Sequence, residues 1–466
     1  MPEVKAGPKA FHPEIFRAYD IRGLYPQELD ENAAALIAAG FAEYLRRRGS
    51  GRRVLIGRDV RWSSQELGEA LKERLCALGA EVVDIGLATT PMFTFAMYEA
   101  RADFGFMVTA SHNPVSYNGF KLYEKTRTLS EKSGLGEIRE LAARGEFGIL
   151  SERRGSFEKK DFLESYVKFL LSQVRLPKKI RAVFDAGGGA TAMVLPELLK
   201  KEKNIQAAVL FKDLDPALAR RHPDPLAPGA SEFAREAVLR QEAEVGFVFD
   251  IDGDRVVVLN ERGEAVRPDA VLWLLSQELS QGEGVVFDIR SSRALREDLE
   301  ERRLRALPSR VGHSFIKETM RESGAKLGGE LSGHFYFEEF FHSDSAILAA
   351  LKILEIISRE NRPLSELVRP YLRYFHSGEV NLKTPHKAEV LKGLEEHYAD
   401  GRKNYLDGLT VEYPHFWFNV RPSNTENLLR MVLEARDKKT FEEKKDELAE
   451  LLMKLGALPA QAGLPA

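Results

Sequence analysis

The sequence has little of several features that define large classes of protein. It contains one cysteine, Cys76, among 466 residues, so the chain cannot form an internal disulfide. No apolar run approaches the roughly 20 residues that a membrane span needs, and residues 1–5 lack the apolar stretch of a signal peptide. We therefore predict a cytoplasmic protein without a membrane partner.

The sequence also lacks an excess of charge of either sign. Lysine and arginine number 68 and aspartate and glutamate 71, which gives a formal net charge of −3. A basic excess would favour nucleic acid as a partner, and a large net charge of either sign would favour another polyion. The composition therefore predicts neither kind of partner.

The order of predicted elements gives the fold class. A chain of this length is too long for one core, and the prior is about three or four domains. Apolar strands alternate with helical segments, which predicts α/β units with mixed, mainly parallel sheets and helices on both faces. From about Tyr371 onward the pattern changes, and we predict a C-terminal α+β domain.

A loop with the sequence TASHNP, at residues 109–114, carries a candidate nucleophile. Residues 102–108 are typical of a buried strand, so Ser111 would lie at the carboxyl edge of a sheet, where α/β proteins bind ligands. Pro114 stiffens the loop, and His112 and Lys121 are close in sequence. The alternative is turn chemistry, in which the serine and asparagine side chains bond their own backbone.

A second loop, DIDGDR at residues 250–255, carries three alternating aspartates. Three such charges repel unless a cation neutralises them, and carboxylate oxygens select Mg²⁺ or Ca²⁺ over softer metals. A calcium EF-hand is disfavoured because Arg255 stands where that loop requires glycine and because strands flank this one. We predict a Mg²⁺ site at Asp250, Asp252 and Asp254, with a solvated acidic turn as the alternative.

Two other loops have open interpretations. Arg17 and Arg22 lie in an early loop, where arginines can fork onto a phosphate, although a surface pair is the alternative. The glycines at residues 187–189 follow a strand and precede a helix, but the rest of a dinucleotide-binding fingerprint is absent. We predict that this turn serves close helix–strand packing, with an anion site as the alternative.

The last third of the chain carries groups that suit a phosphorylated sugar. Glu330, Ser332 and His334 alternate, so an extended segment would show all three on one face toward sugar hydroxyls. A turn with a lone carboxylate is the alternative. Residues 421–425, RPSNT, form a candidate anion cradle, and Arg430 would add a second guanidinium.

Together these loops supply a serine, a cation site, a sugar-binding face and an anion cradle on successive units. At this point the sequence resembles the α-D-phosphohexomutase superfamily, in its phosphomannomutase/phosphoglucomutase branch, over essentially the whole chain. The similar motifs, in the order of that family, are FRAYDIRG at residues 16–23, TASHNP at 109–114, DIDGDR at 250–255, GELSGH at 329–334 and RPSNTE at 421–426.

Two positions depart from the family pattern. Ile251 stands where glycine is common, which keeps the three metal ligands but stiffens the loop. Arg290 stands where relatives often have a lysine. Because an arginine is always charged and cannot act as a tunable base, we expect Arg290 to be at most a substrate contact.

The resemblance implies four domains around a central cleft. Their expected bounds are residues 1–156 with the phosphoserine loop, 157–260 with the metal loop, 261–370 with the sugar-recognition loop and 371–466 with the phosphate-binding loop. The implied enzyme interconverts hexose 1-phosphate and hexose 6-phosphate, of mannose or glucose, through phosphorylated Ser111. A hexose 1,6-bisphosphate would be both intermediate and activator, and the protein would be a monomer or a weak homo-oligomer whose partners are phosphosugars.

The resemblance also implies roles for individual residues. One Mg²⁺ per chain would be held by Asp250, Asp252, Asp254 and an oxygen on Ser111. Proton transfer could fall to Lys121, and the alternates or electrostatic contributors are Arg22, His112, His313 and His334, of which His112 and His313 could equally be structural. The expected substrate contacts are Tyr19, Arg255, Glu330, Ser332, Arg421, Ser423, Asn424, Thr425 and Arg430.

Three rival functions remain at this stage. Phosphoglucosamine mutase shares the chemistry and differs in the sugar, and Tyr19 in the first motif favours the hexose branch over it. A sugar-phosphate phosphatase would release phosphate without isomerisation. A catalytically silent binding protein is disfavoured because Ser111 and the three aspartates are intact.

Overall fold

The computed structural model of the protein describes residues 12–49, 51–145, 147–423 and 428–460. Its residues form two compact units. The first unit contains the described residues up to Ala265 together with Ser343–Asn361, and the second unit contains Val266–His342 and the described residues from Arg362 onward. No helix in the described ranges combines the length and apolar character that crossing a membrane would require.

The first sheet carries the predicted nucleophile loop. Strands β4, β2, β3 and β7 lie side by side and parallel. Strand β5 pairs with β4 in antiparallel orientation, and β1 pairs with β5 in antiparallel orientation. The predicted domain boundary at residue 156 falls just before β7. The strands are β1 (Ile21–Leu24), β2 (Arg53–Arg58), β3 (Glu81–Leu87), β4 (Phe104–Val108), β5 (Tyr117–Glu124), β6 (Arg127–Thr128) and β7 (Phe157–Lys159). The helices are α1 (Glu31–Arg48), α2 (Trp62–Ala77), α3 (Thr90–Glu99) and α4 (Leu135–Arg144), with 3-10 turns at Pro13–Ile15 and Glu131–Ser133.

Local sequence determines where these helices begin and end. Helix α1 starts where the Asp30 side chain accepts a hydrogen bond from the Ala33 N–H at 2.8 Å, and it ends at Gly49, whose φ is +58°. An aspartate at the N-terminus and a left-handed glycine after the last turn satisfy backbone groups that a helix leaves unpaired. Both ends of α1 are therefore set by the residues at those ends.

The second sheet carries the aspartate loop. Strands β10, β8 and β9 are parallel, and β11 pairs with β10 in antiparallel orientation, so that residues 250–255 join two neighbouring strands. Helix Ala346–Glu360 packs on β10 and β11, so this late segment belongs to the first unit. The strands are β8 (Ile180–Asp185), β9 (Ile205–Leu210), β10 (Val245–Phe249), β11 (Val256–Asn260) and β12 (Ala265–Val266), and the helices are α5 (Leu163–Ser172), α6 (Thr191–Lys201) and α7 (Glu232–Arg240).

The third sheet opens the second unit. Strands β14, β13 and β15 are parallel, and β16 folds back on β15 as a hairpin. The elements are α8 (Pro268–Ser276), β13 (Gly284–Asp288), α9 (Arg293–Glu301), β14 (Arg305–Ser309), α10 (His313–Ser323), β15 (Leu327–Gly329) and β16 (Phe335–Phe337). They are followed by the 3-10 turn Glu338–Phe340, β17 (Ser343–Asp344), α11 (Ala346–Glu360) and α12 (Leu364–Val368).

The C-terminal sheet is antiparallel. Its central strands are β22 and β23, which pair along seven residues and bury Phe418, Val420, Met431 and Leu433 against the helices of this domain. The succession of three α/β sheets and one α+β domain confirms the predicted fold class. The strands are β18 (Phe375–His376), β19 (Val380–Lys383), β20 (Arg402–Asn404), β21 (Leu409–Glu412), β22 (Phe416–Pro422), β23 (Leu429–Ala435) and β24 (Leu458–Pro459), and the helices are α13 (Lys387–His397) and α14 (Lys438–Lys454).

Candidate active site

The predicted nucleophile lies just beyond β4. This strand is buried along its whole length, and the chain that leaves it places Ser111 in the left-handed region, with a φ of +49°. Such a conformation costs energy for a residue other than glycine and is concentrated at functional sites. The Ser111 N–H donates to the Thr109 hydroxyl oxygen at 2.8 Å, and Ser111 is only 2 % exposed. The hydroxyl is thus held in a fixed and enclosed position.

A buried arginine, which no sequence motif singled out, holds this loop. Arg61 is 1 % exposed, and its Nε bonds the Asp59 carboxylate at 3.1 Å. Its terminal nitrogens donate to four backbone carbonyl oxygens of the loop, those of Ser111, Asn113, Pro114 and Tyr117, at 2.7, 2.7, 2.8 and 3.2 Å. Five donors in one planar group suit such a task. Arg61 and Asp59 therefore position the serine loop.

The aspartate loop presents its carboxylates to this serine. The Ser111 hydroxyl donates to Oδ2 of Asp250 at 2.9 Å, and one oxygen from each of Asp250, Asp252 and Asp254 lies within 4.8 Å of the others. The second oxygen of Asp250 accepts from the N–H of Gly253 at 3.0 Å, which closes the loop into a tight turn. Carboxylate oxygens gathered in this way can hold a hard divalent cation.

Lys121 compensates part of the charge of these aspartates. Its Nζ lies 2.8 Å from Asp252 and 2.5 Å from Asp254. Burial favours the uncharged amine, but the two carboxylates outweigh it and raise the pKa of Lys121 well above its ordinary value. Burial, together with repulsion from Asp254 and Asp252, raises the pKa of Asp250. Lys121 and Arg255, whose Nε lies 3.9 Å from Asp250, supply two positive charges against three carboxylates, so a negative excess remains.

The donor set fits a metal ion. The three aspartates supply only oxygen ligands, and Oδ1 of Asp252 is buried without a hydrogen-bond partner in the described parts of the chain. A buried carboxylate oxygen left in this state is costly unless a cation or another donor satisfies it. The solvated acidic turn, which was the alternative, is excluded because all three aspartates are buried.

The glycine-rich turn after β8 supports the aspartate loop. A Cβ placed on Gly189 would lie 2.6 Å from the carbonyl oxygen of Ile251, and the neighbouring Ala190 N–H donates to that oxygen at 2.8 Å. Arg221 bonds Asp185 at 2.8 Å and also donates to the carbonyl of Phe249 at the start of the loop. The glycines thus allow close approach of loops, that of Ile251 to Gly189 among them, where helix–strand packing was predicted. Ile251 is accommodated as part of a buried apolar cluster.

Arg22 and Tyr19 lie near the start of the first sheet. Arg22, on β1, donates to the Asn113 side chain at 2.8 Å and pairs with Asp20 at 2.5 Å. The arginine is therefore fixed beside the nucleophile loop, and the alternative of a free surface pair does not hold for it. Tyr19 is half-buried in the bend that precedes β1, whereas Arg17 is exposed.

His112 and Arg255 flank the serine and the first aspartate. Nδ1 of His112 lies 3.2 Å from the Ser111 hydroxyl oxygen. Nε of Arg255 lies 3.9 Å from Asp250, and although burial opposes its charge, neighbouring aspartates raise the pKa of Arg255 further. The structure thus brings the predicted catalytic and metal-binding groups of the first unit together.

The predicted sugar-binding residues lie in a reverse turn of the second unit, and the expectation of an extended segment was wrong. The Gly333 N–H donates to the Glu330 carbonyl at 3.0 Å, and Gly333 has a φ of +84°. The chain must reverse here because β16 pairs with β15 as an antiparallel hairpin. The turn still gathers the side chains, since Nδ1 of His334 lies 2.9 Å from the Ser332 hydroxyl and 3.5 Å from Glu330.

Glu330 is fixed on both of its oxygens. One accepts from the Gly312 N–H at 2.7 Å, and the other accepts from the Tyr336 hydroxyl at 2.5 Å. His313, the first residue of α10, follows Gly312, and its ring centroid lies 6.4 Å from that of His334. The turn therefore presents a carboxylate, a hydroxyl and two imidazoles in one place. Tyr336 was not predicted, because an aromatic residue in a short strand is more often part of a core.

An arginine cluster in the second unit joins two strands of its C-terminal sheet to the residues just after β13. Arg421 on β22 and Arg430 on β23 are direct cross-strand partners, and both bond Glu379, at 2.8 and 3.0 Å. Arg290 bonds the same carboxylate at 2.8 Å. Burial would raise the pKa of Glu379, but the three guanidinium groups outweigh it and lower that pKa to about 2. Arg290 also pairs with Asp288, so three guanidinium groups face two carboxylates and leave an excess of positive charge suited to an anion.

The arginine cluster is connected to the sugar-binding turn. Arg290 is 3 % exposed and pairs with Asp288 at 2.7 Å, and Asp288 accepts from the Leu331 N–H at 2.8 Å. The His376 ring accepts from the Gly378 N–H, so its Nε2 donates to the Arg290 carbonyl at 2.9 Å. Burial lowers the pKa of His376 to about 4, which keeps this ring neutral.

The loop between β22 and β23 carries the rest of the predicted anion cradle. The Ser423 N–H donates to the Leu428 carbonyl at 2.9 Å, which closes the loop. Asn424 and Thr425 lie outside the described residues, so their predicted contacts with substrate stay predictions. Glu379 was missed because it stands alone before β19, and only the cross-strand pairing reveals its partners.

The four sheets and these two charged clusters are of the kind that suits an enzyme acting on phosphorylated sugars. Comparison with known proteins identifies the family. Models described as phosphoglucomutase/phosphomannomutase alpha/beta/alpha domains I, II and III match residues 13–148, 160–263 and 267–374, and the C-terminal domain of the same family matches residues 379–451. The chain therefore belongs to the phosphoglucomutase/phosphomannomutase family of the α-D-phosphohexomutase superfamily.

Relatives in this family match over nearly their whole length. A phosphomannomutase of Methanocaldococcus jannaschii is 36% identical, over 95% of this chain and 98% of its own. A phosphomannomutase/phosphoglucomutase of Pseudomonas putida is 33% identical, over 96% and 97%. The crystal structure of a phosphoglucomutase/phosphomannomutase family protein from Burkholderia thailandensis is 30% identical and superposes with a TM-score of 0.87, covering 98% of this chain and 100% of that one.

Proposed function

We propose that this protein is a phosphomannomutase/phosphoglucomutase, an isomerase that interconverts hexose 1-phosphate and hexose 6-phosphate of mannose, glucose or both. The observation that carries the proposal is the Ser111 hydroxyl, strained, buried and bonded to Asp250 within the cluster of three aspartates. A serine so placed suits a reversible carrier of a phosphoryl group better than a hydrolytic nucleophile, because its enclosure limits access of water. The names of the relatives support the same activity.

The reaction would proceed by two transfers at one oxygen. The bond between phosphorus and the Ser111 oxygen breaks as a hydroxyl of the bound hexose phosphate forms a new one, which gives a hexose 1,6-bisphosphate. The other phosphoryl group of that bisphosphate then returns to Ser111. Lys121 and His112 are the proposed groups of the first unit that move the proton, with Arg22, His313 and His334 as electrostatic contributors or alternates.

A metal ion completes the aspartate cluster in this proposal. When bound at Asp250, Asp252, Asp254 and an oxygen on Ser111, one Mg²⁺ would neutralise negative charge on the transferring phosphoryl group. The Arg61 clamp keeps the serine loop in place during the exchange, and the enclosure of Ser111 protects its phosphoryl group from water. Arg255, adjacent to Asp250, is proposed as a contact for the substrate, as is Tyr19.

The second unit supplies the recognition groups. Glu330 and Ser332 would accept and donate hydrogen bonds to sugar hydroxyls in either orientation of the substrate. The phosphate that does not react would be held by the arginine cluster and its loop, that is by Arg421, Ser423, Asn424, Thr425 and Arg430. A guanidinium group can donate two parallel hydrogen bonds to a phosphate dianion, which it cannot do to a neutral sugar hydroxyl.

We also propose that hexose 1,6-bisphosphate is an activator, and that the protein is cytoplasmic and either a monomer or a weak homo-oligomer. The proposed domain bounds are 1–156, 157–260, 261–370 and 371–466. Helix Ala346–Glu360, which packs in the first unit, lies inside the third of these ranges.

The direct test is the mass of the intact protein before and after incubation with glucose 1,6-bisphosphate and Mg²⁺. A gain of one phosphoryl group that maps to Ser111, together with conversion of glucose 1-phosphate or mannose 1-phosphate to the 6-phosphate, is expected. Release of inorganic phosphate without isomerisation would instead identify a phosphatase. Preference for glucosamine 1-phosphate over both hexoses would identify a phosphoglucosamine mutase.

A further inference from the structure

A cavity in the first unit is lined by none of the residues proposed for catalysis or substrate binding. It has a volume of about 410 Å³ and lies at the carboxyl ends of β2, β3 and β7. This edge of a parallel sheet is where α/β proteins bind ligands, and the volume falls within the range of about 300–1,000 Å³ typical of small-molecule sites. Ser111 uses the same edge beside β4, so the sheet offers a second concave position there.

Missing side chains keep this cavity open. Gly68 on α2 and Gly86 on β3 both line it, and a Cβ added to either would meet no atom within 4 Å in the described structure. Gly86 has a φ of +67°, and the pairing of β2 with β3 shifts register between Ile56 and Gly57. Such irregularities of a sheet are common next to binding sites.

The acidic groups that line the cavity are already engaged. Glu69 and Asp84 both contact the Lys72 ammonium, at 2.6 and 3.4 Å. The Asp161 carboxylate accepts a hydrogen bond from the Leu163 N–H at 2.8 Å, at the start of α5. Glu69 and Asp84 are therefore paired with a cation of the protein, and Asp161 is bonded to a backbone N–H.

The basic groups that line the cavity are not engaged in this way. Arg58, Lys159 and Lys160 form no ion pair with any residue that the structure describes. The Arg58 guanidinium donates to the Asp59 carbonyl at 3.4 Å, and the Lys160 ammonium lies 4.9 Å from the centroid of the Phe162 ring. One guanidinium and two ammonium groups on residues that line the same concave surface suit the several oxygens of a phosphate.

From this geometry we propose that the cavity is a second binding site, which takes a small phosphorylated molecule. The site is also joined to the nucleophile loop through the chain itself. Arg58, in the wall, is followed by Asp59 and Arg61, which hold that loop, and helix α2, which carries Gly68, begins at residues that bond the Asn118 side chain. The wall of the cavity and the segment that positions Ser111 are thus contiguous in the chain.

The test is calorimetric titration of the full-length protein with inorganic phosphate as the probe, in an Arg421→Ala background that weakens the proposed substrate site. We expect one phosphate to bind still. Adding Arg58→Ala with Lys159→Ala, or Gly68→Leu alone, should weaken this remaining binding at least 10-fold. The leucine fills the cavity from a helix position where nothing obstructs it, and the double alanine variant tests the same site without adding bulk.

Two matched controls separate the cavity from general effects. Lys179→Ala removes an exposed lysine of the first unit that lies outside the cavity, and Glu73→Leu adds a leucine to the exposed side of α2 beyond the cavity. Both should bind phosphate as the background does. The proposal is overturned if Arg421→Ala alone abolishes phosphate binding, if the cavity variants bind as tightly as the controls, or if acetate binds as tightly as phosphate.

Discussion

The two charged clusters of this protein are built on opposite plans. In the first unit Lys121 contacts two of the three aspartates and Arg255 lies beside the third. In the second unit three arginines surround Glu379, and one of them, Arg290, also pairs with Asp288. In each case these counter-charges reduce the cost of burying like charges, because unpaired buried charges are strongly destabilising. Each cluster nevertheless keeps an excess of one sign, which suits a cation in the first and an anion in the second. A charged side chain of the protein can thus make a cluster of like charges stable enough to be buried and still leave it with the net charge that binds a ligand.

The largest expected difference between the clusters is chemical, because only the aspartate cluster contains a nucleophile in the proposed reaction. Ser111→Ala should lower the mutase rate at least about 10³-fold, since loss of a covalent carrier cannot be compensated by binding groups. The rate is measured as conversion of glucose 1-phosphate. Ser116→Ala, at an exposed serine of the same loop, is the control. A Ser111→Ala protein with more than a tenth of the wild-type rate would contradict the proposed role.

The cation preference of the first cluster is tested by Asp252→Asn. This change removes a charge but keeps the shape, so it should raise the Mg²⁺ concentration for half-maximal activity roughly 10- to 100-fold, as expected for a loss of about 1.4–2.8 kcal/mol. The dependence of the rate on Mg²⁺ concentration is the measurement. Asp213→Asn, at an exposed aspartate of the first unit, serves as the control. An unchanged Mg²⁺ dependence would show that the metal is held elsewhere.

The anion preference of the second cluster is tested by Arg421→Ala. Loss of one charge-assisted contact to phosphate should raise KM about 10-fold or more, because such bonds contribute about 1.5–3 kcal/mol. The effect on kcat should be smaller. Arg421→Lys keeps the charge and loses the planar fork, so an intermediate KM is expected. If KM is unchanged in both variants, the arginine cluster does not bind the substrate.

The smallest expected effect concerns the counter-charge itself. Because the pKa of Glu379 is lowered to about 2 from an ordinary 4.5, its carboxylate stabilises the fold above about pH 4.5, and this contribution is lost as the pH falls toward 2. Glu379→Gln should therefore lower the free energy of unfolding at pH 7, by at most about 3 kcal/mol. The difference between wild type and variant should shrink below pH 4.5.

Urea unfolding at a series of pH values from 7 to 3 measures this difference. Glu396→Gln, at an exposed glutamate of the same domain, should leave the free energy of unfolding nearly unchanged. A wild-type advantage that is constant over the whole pH range would mean that packing rather than charge accounts for the effect of Glu379. In that event the arginine cluster would not depend on its internal anion.

The parts of the site that follow strands could be predicted from the sequence. Ser111 was expected at a sheet edge because β4 is short, apolar and buried, and Asp250 was expected in a metal-binding loop that follows the strand β10. The structure brings the two side chains to 2.9 Å. Within each of these two loops the functional residues are neighbours in the chain, so a short sequence motif is enough to identify them.

The parts of the site that depend on distant pairing could not be predicted. Glu379 meets Arg290 and Arg421 only because strand register and the packing of two domains of the second unit bring them together. The turn at Glu330 was expected to be extended, since alternation of polar residues is typical of a strand. The short hairpin of β15 and β16 overrode that pattern, because three-residue strands leave the intervening residues to reverse the chain.

The grip of Arg61 on the serine loop has a consequence for turnover. In the proposed reaction, the bonds from the rigid Arg61 guanidinium to the carbonyl oxygens of the loop would keep its shape the same whether the Ser111 hydroxyl is free or phosphorylated. The loop would then rearrange little when a phosphoryl group is added to Ser111 or removed from it. The activation barrier of the transfer would therefore include little energy for reorganising the polar groups around the serine. Arg61 would therefore hold the strained backbone at Ser111 in one conformation while the side chain gains and loses its phosphoryl group over many turnovers.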